Sequence, residues 1–274
     1  MSALATWLFR GQAAIASLDP DDRGLAYGDG LFETMRVRDG RVPWLDAHLA
    51  RLARDAARLR IDVPPDAWLR ERLADCADAA PADAVLKLVL TRGTGGRGYA
   101  PPREPQATLL IALHPPPPPL PDALSLRWCS TRVAVQPALA GIKHLNRLEN
   151  VLARAESVLP GIDEGLMLDT ADELVGATAA NVFIRAFGLW ITPPVTRCGV
   201  AGIARGWVLA NAGARESVLT RTMVEEADAV FLCNAVRGIL PVGSLGDRRW
   251  ALHPALDALR RRLHRAEPAF ATGS

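Results

Sequence analysis

A chain of 274 residues, 49% of them hydrophobic, can bury a substantial core and is more naturally built as two lobes than as one. Its net charge of +2, with acids interleaved among scattered arginines, offers no strong field for nucleic acid or an anionic membrane. Residues 1–10 do not read as a signal peptide, no apolar run is long enough to span a bilayer, and the dispersed cysteines and histidines argue against a metal site and suit a reducing cytoplasm.

In chain order, the pattern predicts a strand over residues 7–15 with a turn near Gly11-Gln12, and another over 31–37. Asp39-Gly40 signals a hairpin into residues 42–44. Asp46 is placed to cap a helix, because Leu49, Leu52, Ala53, Ala56 and Leu59 follow helical spacing. Residues 64–79 read as a second helix, and 84–90 and 107–113 as apolar strands, with a glycine-rich loop at 91–99 between them. The proline run at 115–119 is restricted to extended backbone and is the best linker. The expected division is therefore 1–114, a linker at 115–121, and 122–274. Beyond it, strands are expected at 124–129, 132–136, 165–169, 181–185 and 229–233, and helices at 147–157, 202–212 and 254–267. Strands and helices mix without regular alternation, which predicts α+β lobes.

Of the 32 basic residues only two, Lys87 and Lys143, are lysines. Arginine stays protonated and cannot replace lysine where a neutral amine must attack a carbonyl, so both lysines are candidates for chemistry. Residues 199–204 enter a helix through glycines, leaving backbone N–H groups that could seat a phosphate. Arg51 lies off the apolar stripe of its helix and reads, from periodicity, as a solvated arginine. Arg92 and Arg97 could grip a carboxylate, or simply solvate their loop. Asp169, Asp172 and Glu173 read as a charged turn, and no Ser/His/Asp grouping is visible.

Five ordered segments carry a resemblance. Residues 22–34, Asp-Arg-Gly-Leu-Ala-Tyr-Gly-Asp-Gly-Leu-Phe-Glu-Thr, resemble the N-terminal signature of fold-type IV pyridoxal-phosphate enzymes, the class IV aminotransferase family. Residues 92–99 and 141–152 are similar to its 4-amino-4-deoxychorismate lyase branch, and residues 198–205 and 226–242 match in order. The resemblance covers nearly the whole chain. It implies the two-lobed α+β fold of D-amino-acid and branched-chain aminotransferases, and pyridoxal phosphate as cofactor. It also implies a lyase that makes 4-aminobenzoate and pyruvate for folate synthesis, and a homodimer with shared active sites.

By position, Lys143 matches the lysine that carries the cofactor and Arg51 the phosphate arginine. Gly202, Ile203 and Ala204 match the helix start that holds the phosphate, with Asn181, Asn234 and Ala235 as further cofactor contacts. Arg97, Tyr99 and Arg92, with Tyr27 and Phe32, match the substrate side, in a loop that tends to reach a neighbouring subunit. Family members often carry a hydroxyl near 204 and near 235, where this chain has alanines. Relatives usually carry a glutamate at the cofactor's ring nitrogen where this chain has Gly176, with Asp172 and Glu173 nearby in sequence. A weaker electron sink would suit a lyase whose product becomes aromatic better than a transaminase. A D-amino-acid or branched-chain transaminase, and a binding protein that has lost its chemistry, are the alternatives.

Overall fold

The computed structural model describes residues 2–271, so the expected limits at Met1 and at 272–274 lie outside the described residues. The chain divides into two units, Met1–Pro117 with Lys143–Asn146, and Pro118–Ile142 with Arg147–Ser274. The first boundary falls inside the proline run. Lys143–Asn146, expected with the C-terminal domain, packs instead with the first unit.

In the first unit, β1 (Ala5–Arg10) turns at Gly11 into β2 (Ala13–Ala14). The short α1 (Arg23–Tyr27) is capped by the Asp22 side chain and ends at Gly28, whose φ of 65° is open to glycine. Then follow β3 (Gly30–Arg38), α2 (Leu45–Leu59), α3 (Asp66–Asp78), β4 (Asp83–Thr91) and β5 (Thr108–His114). The sheet runs β2-β1-β5-β4-β3 with every pair antiparallel. On β3, Leu31, Glu33, Met35 and Val37 alternate into the core, which places an acid in phase with three apolar side chains.

Two local expectations change here. Residues 42–44 form no strand; after the Asp39-Gly40 turn only Arg38 and Arg41 pair, and the chain enters α2 directly. Asp46 does not cap α2. Trp44 holds the cap position with φ 57°, and Asp46 sits in the first turn, where a carboxylate still favours the helix dipole.

In the second unit, β6 (Leu124–Trp128), α4 (Leu148–Glu156), β7 (Glu164–Leu168), β8 (Leu174–Ala177), β9 (Asn181–Ala186) and β10 (Leu189–Thr192) lead to α5 (Ile203–Asn211). They are followed by β11 (Arg215–Glu216), α6 (Arg221–Glu225), β12 (Ala229–Asn234), β13 (Gly238–Leu245), β14 (Arg248–Arg249) and α7 (Pro254–Ala266). The sheet path is β11-β10-β9-β12-β13-β6-β7-β8, with β14 on β13, and mixes parallel and antiparallel pairs. Leu126, Leu166, Val182, Ile184, Val230 and Leu232 pack one core, while Phe183 stacks on Phe231 at 4.9 Å between ring centroids. Residues 132–136 are not a strand, because only Val133 pairs, with Asp169. The fold is α+β, as expected.

Candidate active site

Lys143 is held by main-chain bonds to the free edge of β3. Its carbonyl accepts the Phe32 N–H at 3.0 Å, and the Leu145 N–H donates to Gly30 at 3.0 Å. Its own N–H donates to the buried Asp55 carboxylate at 3.1 Å. The side chain is half-buried, and its Nζ stands 3.9 Å from the centre of the Phe32 ring. Lys87 lies on β4, exposed, with its Nζ 5.7 Å from the same ring. Both lysines of the chain therefore look onto Phe32; Lys87 does so from the paired strand β4 and with an exposed side chain, Lys143 from closer range and half-buried.

Arg51 is buried, not solvated. It faces Glu33, whose Oε1 accepts the Arg51 Nε–H at 2.8 Å and whose Oε2 accepts from Nη2. His48 Nδ1 lies 2.6 Å from the same Oε2. Burial alone would raise the Glu33 carboxyl, but the hydrogen bonds from His48 and Arg51 and the guanidinium charge outweigh it and hold the group at about 2. Burial lowers His48 below its ordinary value, and the charges of Arg51 and Lys143 act in the same direction against Glu33. Neither Glu33 nor His48 stands out in the sequence as a site residue. The available signal was three polar groups on core-facing positions, Glu33 on β3 and His48 and Arg51 on α2.

The loop after β4 is pinned from beneath. Arg23, almost fully buried, pairs with Asp29 at 2.9 Å and donates to the carbonyls of Gly98, Tyr99 and Ala100. Arg92 pairs with Asp29 through Nε and Nη2 and donates to the carbonyls of Leu59 and Arg60, so its guanidinium is largely committed inside the unit. Burial opposes ionisation of Asp29, yet the two guanidiniums hold its carboxyl below the usual range. Tyr27 accepts the Gly98 N–H and meets Tyr99 edge-on at 5.5 Å. Arg97 and Tyr99 are left exposed at the loop tip.

In the second unit the start of α5 is set by close packing. Gly202 is its N-cap, and no side chain caps the helix. A Cβ on Gly202 would overlap Asn181 Oδ1, while Asn181 Nδ2 donates to the Val200 carbonyl at 2.9 Å. Gly141 pairs with this turn from both sides, donating to Gly199 and accepting from Ala201. The first-turn N–H groups of Ile203 and Ala204 thus lie at a helix start that no side chain caps, a place where an anion could be held. Asn234 uses its amide on the backbone: its oxygen accepts from Val236 and Arg237, and its nitrogen donates to Ala179. It shapes the turn that presents Ala235. Gly176 lies on β8 opposite Met167. The nearby acids are engaged elsewhere, Glu173 with Arg197 and Asp172 with Arg132.

Pyridoxal phosphate needs an amine for its aldehyde, a surface for its ring, and donors for its phosphate. Lys143, Phe32, Arg51 and the uncapped start of α5 have that chemistry, and the unpartnered Nε2 of the buried His48 adds an unmet polar atom beside Arg51. Among the described residues no group of His, Cys, Asp or Glu could hold a metal ion. No described helix is long and apolar enough to cross a membrane.

A family model described as amino-transferase class IV matches residues 30–245. The aminodeoxychorismate lyase of Vibrio harveyi is 31% identical over 88% of this chain and 92% of its own length. A Methanocaldococcus jannaschii protein, provisionally named a branched-chain-amino-acid aminotransferase, is 34% identical over 83% of this chain and 82% of its own. The crystal structure of 4-amino-4-deoxychorismate lyase from Pseudomonas aeruginosa matches with a TM-score of 0.89 and 40% identity, covering 96% of this chain and 99% of that one.

Proposed function

The chain belongs to the class IV aminotransferase family, and from that premise we propose that it is a pyridoxal-phosphate lyase converting 4-amino-4-deoxychorismate to 4-aminobenzoate and pyruvate. The observation that carries the reading is the placement of Lys143, a scarce lysine locked by its backbone to β3 with its amine over Phe32. When bound, the cofactor supplies the electron sink for breaking the bond at the amine-bearing carbon.

Lys143 would hold the cofactor through its Nζ and, when free, would take the proton from the substrate's amine-bearing carbon. The same Nζ returns a proton as the enolpyruvyl group leaves. Arg51 and the N–H groups of Ile203 and Ala204 bind the phosphate. Gly202 and Asn181 hold that helix start in place, and Asn234 sets the turn at Ala235. Phe32 and Tyr27 line the substrate side, and Arg97 and Tyr99 bind substrate carboxylates. Arg92, largely committed to Asp29, supports them from the loop base.

A second copy of the chain completes the assembly in this reading. The exposed tip at Arg97 and Tyr99 supports it, as does α4, which leaves Leu148, Val151 and Leu152 exposed at helical spacing. The pathway is folate synthesis and the compartment the cytoplasm, in keeping with four free, buried cysteines.

The test is the fluorescence of released 4-aminobenzoate from purified chain, cofactor and substrate. Steady release that Lys143→Ala abolishes supports the lyase. Amino transfer to a 2-oxo acid without 4-aminobenzoate would replace it with the transaminase. No turnover and no bound cofactor would point to the binding protein.

A further inference from the structure

The backbone of Lys143 is held on two sides. Toward β3, its carbonyl accepts the Phe32 N–H, and the Leu145 N–H donates to the Gly30 carbonyl. These two bonds flank Leu31 and His144, which stand opposite each other. In an antiparallel ladder carried one step further, Lys143 and Phe32 would exchange both of their bonds, and the Lys143 N–H would return to the Phe32 carbonyl. It goes instead to Asp55 Oδ2 at 3.1 Å, a carboxylate on α2 that is 1% exposed.

The carboxylate is itself held in place. Its Oδ1 accepts from Arg54 Nε at 3.0 Å and Nη2 at 2.8 Å, while Oδ2 takes the lysine's N–H. A buried carboxylate is costly unless it is paired and hydrogen-bonded, and its bond to a backbone N–H is stronger than a neutral one. Peptide groups are planar, so a bond at the N–H and another at the carbonyl fix the two planes that flank the Lys143 Cα. Fixing both planes fixes the direction in which the side chain leaves. Asp55 also stands four residues after Arg51 on α2, on the same face of the helix, and both are buried. One rigid helix thus carries the arginine assigned to the cofactor's phosphate and the acid that holds the lysine's backbone.

We propose that Asp55 is a positioning residue for the lysine chemistry: by holding the Lys143 N–H it sets the peptide plane that enters Lys143, and so aims the amine relative to Arg51. This rests on the reading that Lys143 carries the cofactor. Asp55 acts through Lys143 and not on the substrate. Its loss therefore lowers kcat by misaiming the amine, and leaves KM and the hold on the cofactor's phosphate nearly unchanged.

The experiment uses the full chain loaded with pyridoxal phosphate and labelled with nitrogen-15 in its lysines. Two lysines give two backbone amide signals, which Lys87→Arg assigns. The native chain is compared with Asp55→Ala and with Asp55→Asn, which keeps an acceptor oxygen. In Asp55→Ala the Lys143 amide signal should move and its proton exchange faster, while the Lys87 amide stays where it was. The visible circular dichroism of the bound cofactor should change, and kcat for 4-aminobenzoate release should fall about a hundredfold with KM within about threefold of native. Asp55→Asn should recover most of each effect. Asp55→Leu, which fills the same space, serves if the alanine variant does not fold. An unmoved Lys143 amide, or a kcat within about threefold of native, overturns the proposal while borohydride still fixes the cofactor on Lys143. A native chain in which borohydride does not label Lys143 overturns the reading of that lysine as well.

Discussion

The Lys143 amine stands 3.9 Å from the centre of the Phe32 ring, and the carbonyl of the same lysine accepts the Phe32 N–H. One residue of β3 thus meets both ends of the lysine, its backbone and its amine. Lys143→Ala and Lys143→Arg should each lower 4-aminobenzoate release by at least about a thousandfold, because neither offers a titrating amine. Lys87→Arg should keep most activity. Borohydride reduction followed by peptide mapping should place the label on residue 143 alone; a label on Lys87 would reverse the assignment.

The pH dependence of stability in the cofactor-free chain follows from Glu33 and His48. Glu33 is lowered from 4.5 to about 2, so its contribution is full above its unfolded value and is lost as the pH falls between the two. His48 is lowered below 6.5, so the unfolded chain takes its proton first and stability also falls as the pH drops below that value. Both slopes have the same sign. Thermal unfolding across acidic pH should show a declining Tm, and His48→Gln should remove the upper part of the decline. A Tm that rises on acidification would contradict the buried cluster.

Arg23 is buried under the loop that follows β4, with three backbone carbonyls and Asp29 on its guanidinium. Arg23→Met should cost roughly 3 kcal/mol of stability by leaving Asp29 with Arg92 alone. If the loop holds substrate, KM should rise about tenfold, or 1.4 kcal/mol, with a smaller change in kcat. Urea unfolding and steady-state kinetics on the same preparation separate the two effects. An unchanged KM would mean the loop tip does not touch substrate.

Gly202 faces Asn181 so closely that a methyl group has no room. Gly202→Ala should destabilise the second unit by about 1–3 kcal/mol and lower its cofactor content, since the seat at α5 must shift. Absorbance of bound cofactor after dialysis reads the second effect. Full retention of cofactor would show that this helix start is not where the phosphate sits.

How much of this could be read from sequence depended on how each residue announces itself. Lys143 was legible because the chain is so poor in lysine. The long elements were legible because their apolar spacing persists for several turns or residues. The five-residue α1 and α6 and the two-residue β11 and β14 are too short for periodicity to register. Arg51 was misread as solvated because its burial depends on Glu33, a partner eighteen residues away on another element. His48 escaped notice for the same reason. Asn181 was legible as important through resemblance, but its work, bracing Gly202 and Val200, depends on a close approach that only coordinates reveal.

The Ile142–Lys143 peptide bond joins the two units, and Lys143–Asn146 takes its order from a strand more than a hundred residues upstream. A chain cut in the proline run would therefore leave the Lys143 amine on the C-terminal fragment and its scaffold on the other. Neither piece alone should present a defined amine. Mixing them should restore one only when residues 143–146 thread back along β3, so fragment complementation would report on that edge pairing alone.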